Sequence, residues 1–204
     1  MTSTEQTETA HVSGMAFTVA RHPARTAASR AATVLEARNV AIVGASADPG
    51  KIAGRPLSYM LARGFAGKLF PINPTRTEVQ GLKSYPSLAA IGEPIDLAIV
   101  GTPATSVESI IQEGIAAGVK AFVVFSSGFS ETGDEGMALQ HRLGNLARAH
   151  GVTILGPNCL GVVNSATGLI ASFTTALEET PIRRGGFALV SQSGALGAYW
   201  MDIC

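Results

Sequence analysis

The sequence predicts an α/β fold built on a doubly wound parallel sheet, and three observations carry that prediction. Short apolar runs without polar alternation recur along the chain, longer amphipathic stretches lie between them, and the runs end in loops rich in Gly, Ser, Pro or Asn. A strand apolar on both faces is covered on both faces, the situation of a parallel sheet with helices on either side. Strands recurring at roughly 30-residue intervals with a helix between them are the signature of βαβ units.

Residues 1–34 read as a disordered tail with a short helix at its end, since residues 1–10 are Thr/Glu-rich and Arg21, Arg25 and Arg30 lie among Ala, Ser and Thr. The acid-poor stretch 11–33 also fits an organelle transit peptide, whereas the apolar core of a secretory signal does not appear. Strands follow at residues 40–43, 68–72, 97–100, 121–125 and 153–155, and helices at 53–63, 106–117 and 136–150. Thr132 followed by Glu135 reads as a capping box opening the last helix, and His150-Gly151 supplies a cation and a glycine stop at its end. These elements make one domain, residues 35–165. Residues 166–186, with Pro181, Arg183, Arg184, Gly185 and Gly186, have weak periodicity and read as a linker. The apolar run 187–190 and the stretch after it read as the first strand and helix of a truncated second domain, residues 187–204.

A length of 204 residues accommodates one ordinary domain and a piece of another. Lys+Arg and Asp+Glu both number 15, so no bulk field attracts nucleic acid or an anionic membrane. The chain is 46% hydrophobic, yet no apolar run approaches the ~20 residues that span a bilayer. Cys159 and Cys204 give no disulfide framework, which fits a reducing, cytoplasmic setting, and no Cys/His cluster has zinc spacing.

In an open parallel sheet ligands bind beyond the carboxyl ends of the strands, so the loops there form the candidate site. After the first strand, Gly44-Ala45-Ser46-Ala47-Asp48-Pro49-Gly50-Lys51 combines small residues, which let a ligand approach the backbone, with a cation beside the next helix. It is a phosphate-loop candidate. The Gly44 to Ser46 spacing breaks G-x-G-x-x-G, and Ala45 and Ile52 break G-x-x-x-x-G-K-[ST], so NAD and Walker-type ATP binding lose weight. After the second strand, Asn73-Pro74-Thr75-Arg76 lacks an acidic residue for a ribose diol; Arg76 suits a phosphorylated ribose, and a surface turn stiffened by two prolines is the competing reading. Thr102-Pro103-Ala104 offers a wall of small side chains or simply starts a helix. Ser126-Ser127-Gly128-Phe129 is a further ligand loop or an ordinary strand-to-helix turn.

Ser191-Gln192-Ser193-Gly194 follows the run 187–190 and opens a helix, where free N–H groups and two hydroxyls suit a phosphate. A nucleophilic Ser193 is the competing reading. Ser191 and Ala195, however, stand where G-x-S-x-G has glycines, and no histidine follows to act as base.

Together with Gly156-Pro157-Asn158-Cys159-Leu160-Gly161 after the fifth strand, these motifs resemble the NDP-forming acyl-CoA synthetases, a family related to the alpha subunit of succinyl-CoA synthetase. The likeness runs over about residues 35–204, through Val43-Gly44-Ala45-Ser46, Ile72-Asn73-Pro74, Ser127-Gly128-Phe129, Gly156-Pro157-Asn158-Cys159 and Ser191-Gln192-Ser193-Gly194-Ala195-Leu196-Gly197. It implies a Rossmann-like CoA-binding domain followed by the first βα unit of a flavodoxin-like ligase domain. In such enzymes ATP phosphorylates a histidine, the phosphate passes to a carboxylic acid, and the CoA thiol attacks the acyl phosphate, leaving ADP and phosphate.

By the resemblance, coenzyme A is the ligand. Gly44, Ala45, Ser46 and Lys51 would hold its diphosphate region, Asn73, Pro74 and Arg76 would lie near its adenosine, and Thr102, Pro103 and Ala104 would line the pantetheine path. Ser127 and Gly128 join that cofactor-binding set. Asn158 and Cys159 would lie near the thioester, although Cys159 by itself reads as a small buried hydrophobe. Ser191, Ser193 and Gly194 would bind the phosphate carried by the histidine. ATP and Mg belong to the complete enzyme only, with an ATP-grasp domain or subunit downstream or in trans.

None of the four histidines fits the phosphorylated residue of that family: His11 and His22 are in the tail, His141 is inside a helix and His150 at its end. The chain is therefore expected to be inactive alone. A CoA-sensing regulatory module of a protein acetyltransferase and an NADP-dependent oxidoreductase domain are the alternative functions.

Overall fold

The computed structural model describes residues 7–12, 15–20, 26–179 and 181–203; Arg21, His22, Arg25 and Cys204 lie outside them. Within the stretch read as a tail, Thr7–Val12 (β1) and Met15–Ala20 (β2) pair antiparallel, and Ala27–Leu35 (α1) forms a helix whose N-cap, Thr26, accepts the amide N–H of Ser29. The main body then runs through Asn39–Val43 (β3), Arg55–Ala62 (α2), Lys68–Ile72 (β4), Glu78–Val79 (β5), Leu82–Lys83 (β6), Leu97–Val100 (β7) and Ala104–Ala116 (α3). Ala121–Val124 (β8), Asp134–His150 (α4) and Thr153–Leu155 (β9) complete the sheet. A hairpin of Gly161–Asn164 (β10) with Leu169–Ser172 (β11) follows, then Ala176–Glu179 (α5) and Gly194–Ile203 (α6).

Five parallel strands form one sheet in the order β4-β3-β7-β8-β9. The first strand of the sheet, β3, has β4 on one side and β7 on the other, so the chain winds outward from it in both directions. Its switch point lies between the carboxyl ends of β3 and β7. Successive side chains of a strand point to opposite faces, and here both faces are dry. Val40, Ile42, Leu97, Ile99, Ala121 and Val123 face α1, α2 and β11. Ala41, Val43, Ala98, Val100, Phe122 and Val124 face α3 and α4. This double burial explains why β3, β7 and β8 are continuous apolar runs.

Three local expectations are corrected. The capping box does not form: the Thr132 hydroxyl donates to the Phe129 carbonyl at 2.8 Å inside a 3-10 turn, Ser130–Thr132, and α4 opens on Gly133 without a side-chain cap. The tight turn consumes Thr132 before the helix starts, while Asp134 and Glu135 still place negative charge at its positive end. The far end is as expected, with Gly151 left-handed at φ 64.

The second correction concerns residues 166–186, which carry a strand inside the core. Leu169, Ile170 and Ala171 of β11 are buried against α2, and the Tyr59 hydroxyl donates to the Thr174 carbonyl at 3.0 Å. The four residues Leu169–Ser172 that follow Gly168 are too few for periodicity to register.

Third, residues 187–190 form no strand. A strand needs a neighbour to take its N–H and C=O groups, and no described strand pairs with this run. The helix expected after it is present as α6.

Candidate functional site

The loops at the carboxyl ends of the sheet strands are stitched together along one rim. The Asn73 Nδ2 donates to the Ala45 carbonyl at 3.0 Å, and the Gly44 and Ala45 amides donate to the Ile72 carbonyl, joining the loops of β4 and β3. Gly44 has φ 81, and a Cβ there would lie 2.9 Å from the Thr102 methyl carbon, so a glycine is what lets the β3 loop lie against the β7 loop. The Ser126 hydroxyl donates to the Thr102 carbonyl, and the Asn158 amide donates to the Ser126 carbonyl at 2.9 Å, which extends the chain of contacts to the loops of β8 and β9.

At the switch point the loop between β3 and α2 folds back on itself. The Asp48 amide donates to Ser46 Oγ at 3.1 Å, the Gly50 amide to Asp48 Oδ1 at 2.9 Å, and the Gly54 amide to the Lys51 carbonyl at 2.8 Å. This loop and Gly101 line an open cavity of about 470 Å³, bounded by Gly44, Ser46, Gly50, Lys51, Ile52, Ala53, Arg55 and Gly101. Lys51 and Arg55 therefore stand together at the N-terminus of α2. The Arg55 amide is taken by the Lys51 carbonyl and Pro56 has no N–H, so the positive character comes from these side chains and the helix dipole more than from free amides. Glu178 holds the Arg55 guanidinium through Nε at 3.1 Å. Chemically, the cavity suits an anion the size of a diphosphate, approached by small residues and met by cations.

Of the residues picked from the sequence, Gly44, Ser46 and Lys51 line this cavity and Ala45 lies fully buried behind them. Pro74 and Arg76 are exposed on the β4 loop and are not among the lining residues. Thr102, Pro103 and Ala104 lead into α3, with the Ser106 hydroxyl donating to Thr102 Oγ1 at 3.0 Å. Ser127 is exposed. The Gly128 amide is occupied by Glu131 Oε1 at 2.7 Å, a bond that holds the Glu131 carboxyl below the usual carboxylate range.

Cys159 is half-buried, its thiol donates to the Val124 carbonyl at 3.4 Å, and burial pushes its pKa up, so it stands in the fold as a thiol. Asn158 beside it is exposed, with φ 53. Ser193 Oγ accepts the Leu196 amide at 3.3 Å, which makes it the N-cap of α6, and its own amide donates to Ser191 Oγ at 3.1 Å. A Cβ at Gly194 would lie 3.3 Å from the Leu160 Cβ, so the start of α6 adjoins the β9 loop. The phosphate-site candidates and the Asn158-Cys159 pair thus adjoin at the β9 end of the rim.

Arg55 at the cavity and Gln80 beside it went unread in the sequence. Arg55 had one local signal, the proline after it that marks a helix start. Gln80, whose side chain reaches the cavity loop from the β5–β6 turn, had none. Among the described residues no group of three or more His, Cys, Asp or Glu gathers to hold a metal ion, and no helix is long and apolar enough to cross a membrane.

A doubly wound sheet with a small-residue loop and paired cations at its switch point defines a domain that holds an anionic, nucleotide-like ligand. The chain belongs to the family described as the CoA binding domain, whose model matches residues 38–165. It is 36% identical over 166 residues to an ADP-forming acetate–CoA ligase II of Archaeoglobus fulgidus, covering 81% of this chain and 24% of that protein. It is 40% identical over 161 residues to the alpha subunit of ADP-forming acetate–CoA ligase II of Pyrococcus furiosus, covering 79% and 34%. Among solved structures, the Ca. Korarchaeum cryptofilum dinucleotide forming acetyl-coenzyme A synthetase 1 in complex with phosphate and ADP superposes with TM-score 0.75 at 38% identity, covering 81% of this chain and 34% of that one. The chain thus spans between a quarter and about a third of the length of these proteins.

Proposed function

We propose that this chain is the CoA-holding portion of an ADP-forming acyl-CoA synthetase, which joins a carboxylic acid to CoA with ATP and releases ADP and phosphate. The observation that carries the reading is the switch-point cavity, where Gly44, Ser46 and Gly101 leave room for a ligand and Lys51 with Arg55 supplies its countercharge. In this reading the diphosphate of CoA lies at the N-terminus of α2, Asn73, Pro74 and Arg76 face its adenosine 3′-phosphate end, and the pantetheine runs past Thr102, Pro103 and Ala104 toward Ser127, Gly128, Asn158 and Cys159. Ser191, Ser193 and Gly194 begin a ligase domain and receive the phosphate; the Ser193 hydroxyl, used as acceptor by the helix cap, keeps its proton for that purpose. Phosphorylation of a histidine, with ATP and Mg, falls to an ATP-grasp domain or subunit, downstream or in trans.

Calorimetric titration with CoA, dephospho-CoA and NADP tests the reading. CoA should bind most tightly, and Arg76→Ala should erase the preference of CoA over dephospho-CoA, worth about 1.5–3 kcal/mol for a charge-assisted bond. Tight NADP binding without CoA binding would turn the assignment to an oxidoreductase domain, and an undiminished preference in Arg76→Ala would remove that residue from the site.

A further inference from the structure

We infer that Gln80 is a positioning residue for the anion cavity: its carboxamide clamps the two ends of the loop 46–54 and so fixes where Lys51 and Arg55 meet the ligand. Gln80 occupies the two-residue turn between β5 and β6, where Val79 pairs with Leu82. It has φ 50 and the following Gly81 has φ 81. A turn with both central residues left-handed favours Asn-Gly or Gly-Gly, and a longer side chain at its first position is held there at a conformational cost. The hairpin itself does not call for glutamine.

What the side chain does there is reach away from its own hairpin. Its Nε2 donates to the Ser46 carbonyl at 2.8 Å and to the Gly54 carbonyl at 3.1 Å, partners 34 and 26 residues distant in sequence. Both acceptors are carbonyl oxygens, so it is the NH2 end of the carboxamide that serves, and Asn in the same place is one methylene short. The base of the clamp is rigid, because Val79 is buried and Tyr85 just beyond β6 bridges to Ile72 of β4. Without the clamp, the neck of the loop retains a long bond from the Ser46 amide to the Ala53 carbonyl at 3.4 Å. Ser46 lines the cavity, and Gly54 immediately precedes Arg55, so the clamp acts on both walls.

The positioning role rests on the proposal that this cavity takes the CoA diphosphate; the clamp itself does not. Two measurements on the 204-residue chain separate them. In Gln80→Gly the strained turn is relaxed, so the melting temperature should hold or rise, while amide hydrogen exchange across residues 46–54 in the ligand-free chain should quicken on the order of tenfold and CoA affinity should fall on the order of tenfold. Gln80→Asn, which keeps a left-handed preference but cannot reach, should match it and serves if the glycine variant folds poorly. A loss of binding without a loss of stability is not what a merely structural residue gives. Unchanged exchange at residues 46–54 overturns the clamp, and faster exchange with parental CoA affinity overturns the positioning role. A parent chain that binds no CoA defeats the functional reading, and with it the positioning role, while the exchange data still decide the clamp.

Discussion

Asp96 ties together the amino ends of three strands. Its Oδ2 accepts the amides of Arg38 and Asn39 at 3.1 and 3.0 Å, and its Oδ1 faces Lys120 at 3.5 Å. Burial by itself would raise the pKa of this carboxyl, but the two amides and Lys120 together outweigh it and hold the group below its ordinary value. A carboxyl depressed in the folded state stabilises the fold above its unfolded-state pKa of about 4, and that contribution is lost as pH falls through the lower folded value. Asp96→Asn should therefore cost about 2 kcal/mol at neutral pH, and the gap between the melting curves of parent and variant should narrow as pH falls below the unfolded-state value. A gap that stays constant with pH would show that the charge contributes nothing. At this scale the sequence was legible where a residue acts on its own neighbourhood: Gly44, Ser46 and Lys51 line the cavity because the loop that carries them does. Gln80 and the Arg55–Glu178 pair were not, since their partners are brought close only by the folded sheet, the latter across 123 residues.

Strands were legible as short apolar runs: residues 97–100 coincide with β7, buried throughout, and residues 68–72 and 153–155 coincide with β4 and β9, which the sheet buries only in part. The β10–β11 hairpin escaped because its strands are short and its identity as a strand pair depends on α2 lying beneath it. That dependence sets the extent of the folding unit, which we place beyond α5 rather than at residue 165. Leu177 is buried, and Tyr59, Arg55 and Arg63 each bind the stretch 174–178 through Thr174, Glu178 and the Leu177 carbonyl. A chain ending at residue 165 strips these contacts from α2 and uncovers Leu57 and Met60, which lie among the residues of that core. It should lose its cooperative thermal transition, whereas a chain ending at residue 186 should melt within a few degrees of the parent. Circular dichroism melts of the two truncations compare them directly, and a cooperative transition for the shorter one would return the boundary to residue 165.

For the whole molecule, apolar surface is distributed unevenly. Phe187, Val190, Tyr199 and Ile203 are 66%, 99%, 61% and 54% exposed, and Phe187 stacks on Trp200 with ring centroids 5.6 Å apart, so the exposed apolar side chains of residues 187–203 are concentrated in one segment. Elsewhere among the described residues exposed apolar side chains such as Ile52, Leu61 and Met137 are scattered, and a patch as concentrated as this one marks a surface prepared for contact. The chain carries 15 basic and 15 acidic residues, so no net charge opposes association through it. In the proposed reading this surface is the opening of a ligase domain, covered by the remainder of that domain or by the partner subunit. The expected consequence is concentration-dependent self-association of the 204-residue chain in sedimentation velocity, abolished in a chain ending at residue 186. Association of the shorter chain to the same degree would move the sticky surface elsewhere, with the cavity of about 380 Å³ among Met60, Phe65, Phe70, Leu82 and Tyr85 at the amino end of β4 as the next place to substitute.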